Sequence, residues 1–104
     1  MVSITILYPS GPEFNLKYYM DTHMPLVAKN WKPFGLQSWE IIAFEPGQTY
    51  QIQASLKWDS AESWASASAP SCDAAKAVFG DIPNFTTAQP VVLKGAQQGM
   101  QSLA

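Results

Sequence analysis

The stretch Phe14–Val27, FNLKYYMDTHMPLV, decides how the chain is read. Its apolar residues recur at helical spacing, with Phe14 and Tyr18 on one side and Leu16, Tyr19, Met20 and His23 on the next. Tyr19 and His23 are four residues apart and share a face. Pro25 predicts a stop or kink near His23, because proline lacks an N–H and its ring crowds the preceding turn. Just upstream, Ser10, Pro12 and Glu13 fit a helix start. Ser10 would cap, Glu13 would complete a capping box, and Pro12 would sit in the first turn.

Outward from this helix the pattern changes to alternation. On the N-terminal side, Val2, Ile4, Ile6 and Tyr8 share one face, and Ser3, Thr5 and Leu7 the other, until Pro9 ends the strand. On the C-terminal side, Gly35–Phe44 reads as a strand with apolar side chains on both parities. Glu45-Pro-Gly-Gln48 is a turn, and Tyr50–Trp58 is a cleaner strand, so the two form an antiparallel hairpin. A second helical region starts at Asp59 or Ser60 and carries Trp64, Ala65, Ala67 and Ala69. It breaks at Pro70, resumes through Ala74, Ala75, Val78 and Phe79, and ends at Gly80. After the irregular Asp81–Thr86, a short last strand spans Gln89–Lys94.

The order is βαββαβ, an α+β fold with a four-stranded antiparallel sheet and two helices on one face. Residues 1–95 form one domain, and 96–104 read as a loose polar tail. The second sheet face is left open, exposing Leu7 with Trp39 or Phe44. A two-fold homodimer packing sheet on sheet is the simplest cover.

Composition narrows the function classes. Of 104 residues, 47% are hydrophobic and 13% charged, which fits a folded domain whose surface is either partly covered by another subunit or simply rich in serine, glutamine and threonine. All six basic residues are lysines, and the absence of arginine or any basic run argues against nucleic acid or a polyanion site. Cys72 stands alone, so no intrachain disulfide or cysteine-based zinc site is expected, and the thiol reads as inert. No metal-ligand spacing surrounds the single His23. Scattered glycines form no phosphate loop, so no nucleotide, flavin or nicotinamide cofactor is expected. The first residues do not resemble a signal peptide, and no apolar run approaches a membrane span, which predicts a soluble cytoplasmic protein.

Among residues with chemistry, His23 comes first because imidazole exchanges protons near neutral pH. It reads either as a general acid/base or as a structural group bonding carbonyls at the helix end before Pro25. Asp21 is too near in sequence to face it along a helix. Tyr19 shares its face and is the favoured phenol for steadying a developing oxyanion. Tyr8 and Tyr18 are further candidates for a ligand, as is Asn84, although holding its turn is the plainer role for Asn84.

The segments LYPSGPEFNLKYYMDTHMPLV and GDIPNFTTAQPVVL resemble the EthD family of the dimeric α+β barrel superfamily, and the likeness runs through Lys94. It implies a ferredoxin-like monomer, a homodimer joined through the sheets, and a pocket between each sheet and its own helices. It implies a role in oxidative degradation of ethers and other small organics, often under an oxidoreductase label. Superfamily relatives include lactone isomerases, cyclases, dehydratases and cofactor-free monooxygenases. By position, His23 matches the motif histidine, with Tyr18 and Tyr19 as its aromatic neighbours. The chain departs from the family at Ser66–Val78, SASAPSCDAAKAV, where a bulkier stretch, often with a second histidine, is usual.

The resulting expectation is a homodimeric EthD-like protein acting on a small apolar carbonyl or phenolic compound. The chemistry would be cofactor-free isomerisation, dehydration or cyclisation, with His23 and Tyr19 catalytic and Tyr8, Tyr18 and Asn84 contacting substrate. The alternative is a non-catalytic binding or accessory protein of an oxidative degradation pathway; a structural dimer without a pocket is a third.

Overall fold

The computed structural model describes residues 1–104. Its strands are β1 (Val2–Pro9), β2 (Leu36–Ala43), β3 (Tyr50–Trp58) and β4 (Val91–Ala96). They form one antiparallel sheet in the order β2-β3-β1-β4. Alternation in β1 and β3 has the expected result: Ile4, Ile6 and Tyr8 are buried, as are Ile52, Ala54, Leu56 and Trp58, while their neighbours in sequence are not. β4 reaches Ala96, one residue into the segment read as a tail.

One helix, α1, crosses between β1 and β2. It begins as α-helix at Leu16–Tyr18, passes through a π-helical turn at Tyr19–His23, and continues as α-helix over Met24–Trp31. Two sequence expectations are corrected here. Asn15, not Ser10, is the cap, its side chain accepting from the Tyr18 N–H at 3.0 Å. Ser10 instead donates to the Gln48 carbonyl, as the chain leaving β1 follows the β3 side of the hairpin. Nor does Pro25 stop the helix. The backbone widens just before it, so that the Met24 N–H reaches back five residues to the Tyr19 carbonyl. The wider turn relieves the crowding that a proline ring imposes in a regular α-helix.

The second helical region is two helices, α2 (Ala61–Ala67) and α3 (Asp73–Gly80), divided around Pro70. Ser60 caps α2 by accepting from the Ser63 N–H. The helices lie over one sheet face and share its core. Trp31 of α1 and Trp58 of β3 are fully buried and meet edge to face at 5.5 Å, with Trp64 of α2 against both. Edge-to-face pairs contribute roughly 0.5–1.5 kcal/mol beyond area burial. The Trp31 indole N–H donates to the Ala67 carbonyl, tying α1 to α2. The Trp58 indole nitrogen is buried without a hydrogen-bond partner.

The opposite sheet face carries no helix. By strand register Leu7, Ile42, Val91 and Leu93 project from it, with Ile42, Val91 and Leu93 exposed and Leu7 half-buried. Trp39 does not join them. A bulge between Leu36 and Ser38 shifts the parity of β2, so Trp39 pairs with Leu56 and lies toward the helices. Phe44 lies just past β2 and is half-buried.

Gly35 closes the short 3-10 turn Lys32–Phe34 with φ 121°, a conformation that favours glycine. A Cβ there would come within 2.5 Å of the Asp59 carboxylate. Gly35→Ala should therefore cost about 1–3 kcal/mol of stability. This is measured as a lower urea midpoint with an unchanged m-value; an unaltered midpoint would refute it.

Candidate active site

Three backbone and side-chain links set the site. The Asn15 N–H donates to the Phe85 carbonyl at 2.9 Å, and the Thr86 hydroxyl donates to the Glu13 carbonyl at 2.7 Å. The same Thr86 oxygen accepts from the Ala88 N–H. The segment after α3, including the 3-10 turn Ile82–Asn84, is thereby held against the entry to α1. This brings Asp81 and Asn84 beside Tyr18 and His23.

His23 is 3% exposed and lies in the π turn of α1. Its Nδ1 is 2.8 Å from Asp81 Oδ2. The other carboxylate oxygen, Oδ1, accepts from the Tyr18 hydroxyl at 2.7 Å and from the Asn84 amide at 2.8 Å. Partial burial raises the Asp81 carboxyl, but the hydrogen bonds from Asn84, Tyr18 and His23 together hold it below its usual range. Burial lowers the His23 pKa, and the bond and charge of Asp81 only partly offset this. At neutral pH the pair is therefore an ionised carboxylate and a neutral imidazole. An ionised carboxylate only accepts, so Nδ1 carries the hydrogen and the lone pair is on Nε2. No protein group bonds Nε2, and it is not sealed from solvent. His23 does not close a helix end, since α1 continues through Trp31.

Tyr19, four residues before His23, stacks on the imidazole with ring centres 5.2 Å apart and planes 16° apart. Phe85 packs against both rings, and Tyr8 meets Tyr19 and Phe85 edge to face. Burial pushes the phenols of Tyr8 and Tyr19 well above the usual tyrosine range. They remain protonated donors at any ordinary pH.

Tyr8, Tyr19 and His23 line one cavity between sheet and helices. Its remaining walls are apolar, from Ile6, Met24, Val27, Trp31, Ala54, Leu56, Val78, Phe79, Ile82, Pro90 and Val92. No lysine or carboxylate lines it. The cavity volume is about 20 Å³, room for roughly one water molecule. Of the residues expected from the sequence, His23, Tyr19 and Tyr8 meet at this cavity, whereas Tyr18 and Asn84 lie behind His23 and bond Asp81. Asp81 itself is the residue that sequence reasoning missed. It is 58 residues from His23, and only the GDIPN segment hinted that its neighbourhood mattered. No three His, Cys, Asp or Glu side chains cluster as metal ligands would. No helix is long and apolar enough to cross a membrane.

Between the folded His23 pKa and its ordinary 6.5, the unfolded chain binds more protons than the folded one. Stability should therefore fall as pH drops from about 7 to about 5. Asp81 adds a second loss at lower pH, below its unfolded value of 3.8 and through its folded one. Urea unfolding at a series of pH values should show both steps. In His23→Gln the first should flatten; a profile unchanged between pH 7 and 5 would contradict the buried, neutral imidazole.

No family model and no curated protein sequence matches the chain. Solved structures do. An EthD-like protein from Ralstonia eutropha superposes with a TM-score of 0.81 at 23% identity, over 97% of this chain and 95% of that one. An ethyl tert-butyl ether D (EthD) family protein from Bacillus halodurans gives 0.73 at 22% identity, over 94% and 99%. A dimeric protein of ferredoxin-like fold from Bacteroides fragilis gives 0.54 at 12% identity, over 90% and 93%. From its first strand to its last, the chain has the ferredoxin-like α+β fold of these EthD proteins.

Proposed function

We propose that the chain is an EthD-like homodimer that binds a small, uncharged, largely apolar organic molecule and moves a proton on it without a cofactor. The observation that carries this reading is the His23–Asp81 pair: the imidazole is held through Nδ1, its Nε2 has no protein partner, and His23 lines an apolar cavity. Nε2 takes a proton from carbon or oxygen of a carbonyl or phenolic compound. Asp81 stabilises the imidazolium that forms. The Tyr19 hydroxyl, with Tyr8, donates to the oxygen on which negative charge develops. Isomerisation, dehydration and cyclisation all need this step. A lining without cations disfavours carboxylate or phosphate substrates.

The small cavity supports one competing reading, a binding or accessory protein of an oxidative pathway in which side chains part for a ligand but no proton moves. Solvent exchange separates the two. Small ketones, lactones and phenols are incubated with the protein in D2O and followed by proton NMR. Catalysed exchange at an acidic C–H, reduced about 10²–10⁴-fold in His23→Ala that retains its circular dichroism, supports proton transfer. A compound that binds both proteins equally and exchanges with neither would establish the accessory reading.

Homodimerisation is supported by the uncovered sheet face, where Ile42, Val91 and Leu93 sit among serine, threonine and glutamine. Sedimentation should give a dimer for the natural chain and a monomer for Leu93→Lys. A Leu93→Lys protein that stays dimeric would exclude this face as the contact.

A further inference from the structure

We propose that Tyr18 and Asn84 are positioning residues, not ligand contacts: by bonding Oδ1 of Asp81 they leave Oδ2 to His23 and hold its imidazole in the Nδ1–H tautomer. The inference rests on the reading of His23 as the proton-transfer group and assigns roles that neither composition nor resemblance supplies.

Geometry carries it. A carboxylate on a flexible side chain offers two equivalent oxygens, and either could face a histidine. Here two donors from different elements converge on the same oxygen, the Tyr18 hydroxyl from α1 and the Asn84 amide from the 3-10 turn. Rotation of the carboxylate would break both bonds at once. Each donor is itself braced. The Tyr18 ring stacks on Phe85 at 6.4 Å with planes 27° apart, and the Asn84 N–H donates to the Asp81 carbonyl at 3.0 Å. The Asp81 N–H is tied to the Val78 carbonyl at the end of α3. With Oδ2 fixed 2.8 Å from Nδ1, protonating Nε2 in the neutral ring would leave two lone pairs facing each other. That arrangement is repulsive, so Nε2 stays the base.

The titratable groups around the imidazole are few. Asp81 faces it from the turn after α3, Tyr18 and Tyr19 belong to its own helix, and Tyr8 lies beyond Tyr19 on β1. β3 and β4 present no charged side chain to the cavity. The Tyr18 hydroxyl hydrogen and one amide hydrogen of Asn84 are engaged by Asp81, and neither residue lines that cavity.

His23 is the single histidine, so a 15N-labelled imidazole gives one pair of ring-nitrogen signals. In the natural protein at neutral pH, Nδ1 should appear as N–H type and Nε2 as lone-pair type, widely separated. Tyr18→Phe keeps the ring and removes only the hydroxyl, and Asn84→Ala removes the second donor from an exposed position. In each variant the separation should narrow as the freed carboxylate admits the other tautomer, and further in the double variant. Asp81→Asn, which can present an N–H to Nδ1, should reverse the assignment. Exchange catalysed by the protein should fall about 10-fold or more in the single variants.

Natural separations in both single variants, each checked for fold by circular dichroism, would overturn the positioning role. So would an Asp81→Asn protein with unchanged nitrogens. If the tautomer responds as expected but the natural protein catalyses no exchange, the positioning pair stands and the proton-transfer reading fails.

Discussion

The site depends on one requirement: a histidine placed inside an apolar core must find a partner for each nitrogen or leave one for a ligand. A buried unpaired polar group costs roughly 1–3 kcal/mol, a large share of what a small domain retains. Asp81 meets half of the requirement from 58 residues away, and its reach depends on backbone and side-chain bonding between residues 13–15 and 85–86. Those bonds close the fold as well as the site. They carry the chain from α3 past the entry of α1 and into β4, so the end of the sheet and the back of the imidazole are set together.

The π turn serves the same geometry. An α-helix with Pro25 in place would lose a hydrogen bond and press the ring against the preceding carbonyls. Widening over Tyr19–His23 absorbs that conflict and lets α1 run on to Trp31, whose indole anchors the helix layer to Trp58 and Ala67. It also sets Tyr19 nearly parallel to His23 at stacking distance. One local irregularity therefore supports both the central tryptophan cluster and the aromatic face of the site. π turns within α-helices are frequent at functional sites for a related reason: they re-aim side chains without ending the helix.

Most of the architecture was legible because its signals are local. Alternation in Val2–Tyr8 and Tyr50–Trp58 fixes burial at two-residue period, and Pro70 marks the break between α2 and α3. The pairing of Tyr19 with His23 follows from helical spacing and persists through the wider turn. What was not legible required nonlocal balance. Ser10 has the chemistry of a cap, yet the chain there bonds across to Gln48 and Thr49. Pro25 reads as a stop or a kink near His23, and the irregularity does fall there, but the wider turn that lets the helix continue leaves no mark in sequence. The bulge between Leu36 and Ser38 inverts the side of Trp39 for the same reason. Asp81 escaped because its partner is fixed by tertiary bonding, and a lone acid after a helix-ending glycine has many ordinary explanations.

The electrostatics of the site favour one direction of chemistry. A histidine that titrates below its ordinary value is the weaker base in the resting state, which looks like a disadvantage for proton abstraction. Yet a base must be unprotonated to act, and burial shifts His23 toward the neutral form, in which Nε2 carries the lone pair. The carboxylate does not make His23 basic in the ground state; its three donors temper it. Its contribution would rise when the proton arrives, because the bond from a neutral imidazole to the carboxylate then becomes a full ion pair at the same 2.8 Å. An interaction that strengthens as charge forms lowers the barrier more than it tightens binding. In the proposed proton transfer, two protonated phenols on the same cavity would complete the balance, since the anion left behind would need donors and the other walls are apolar.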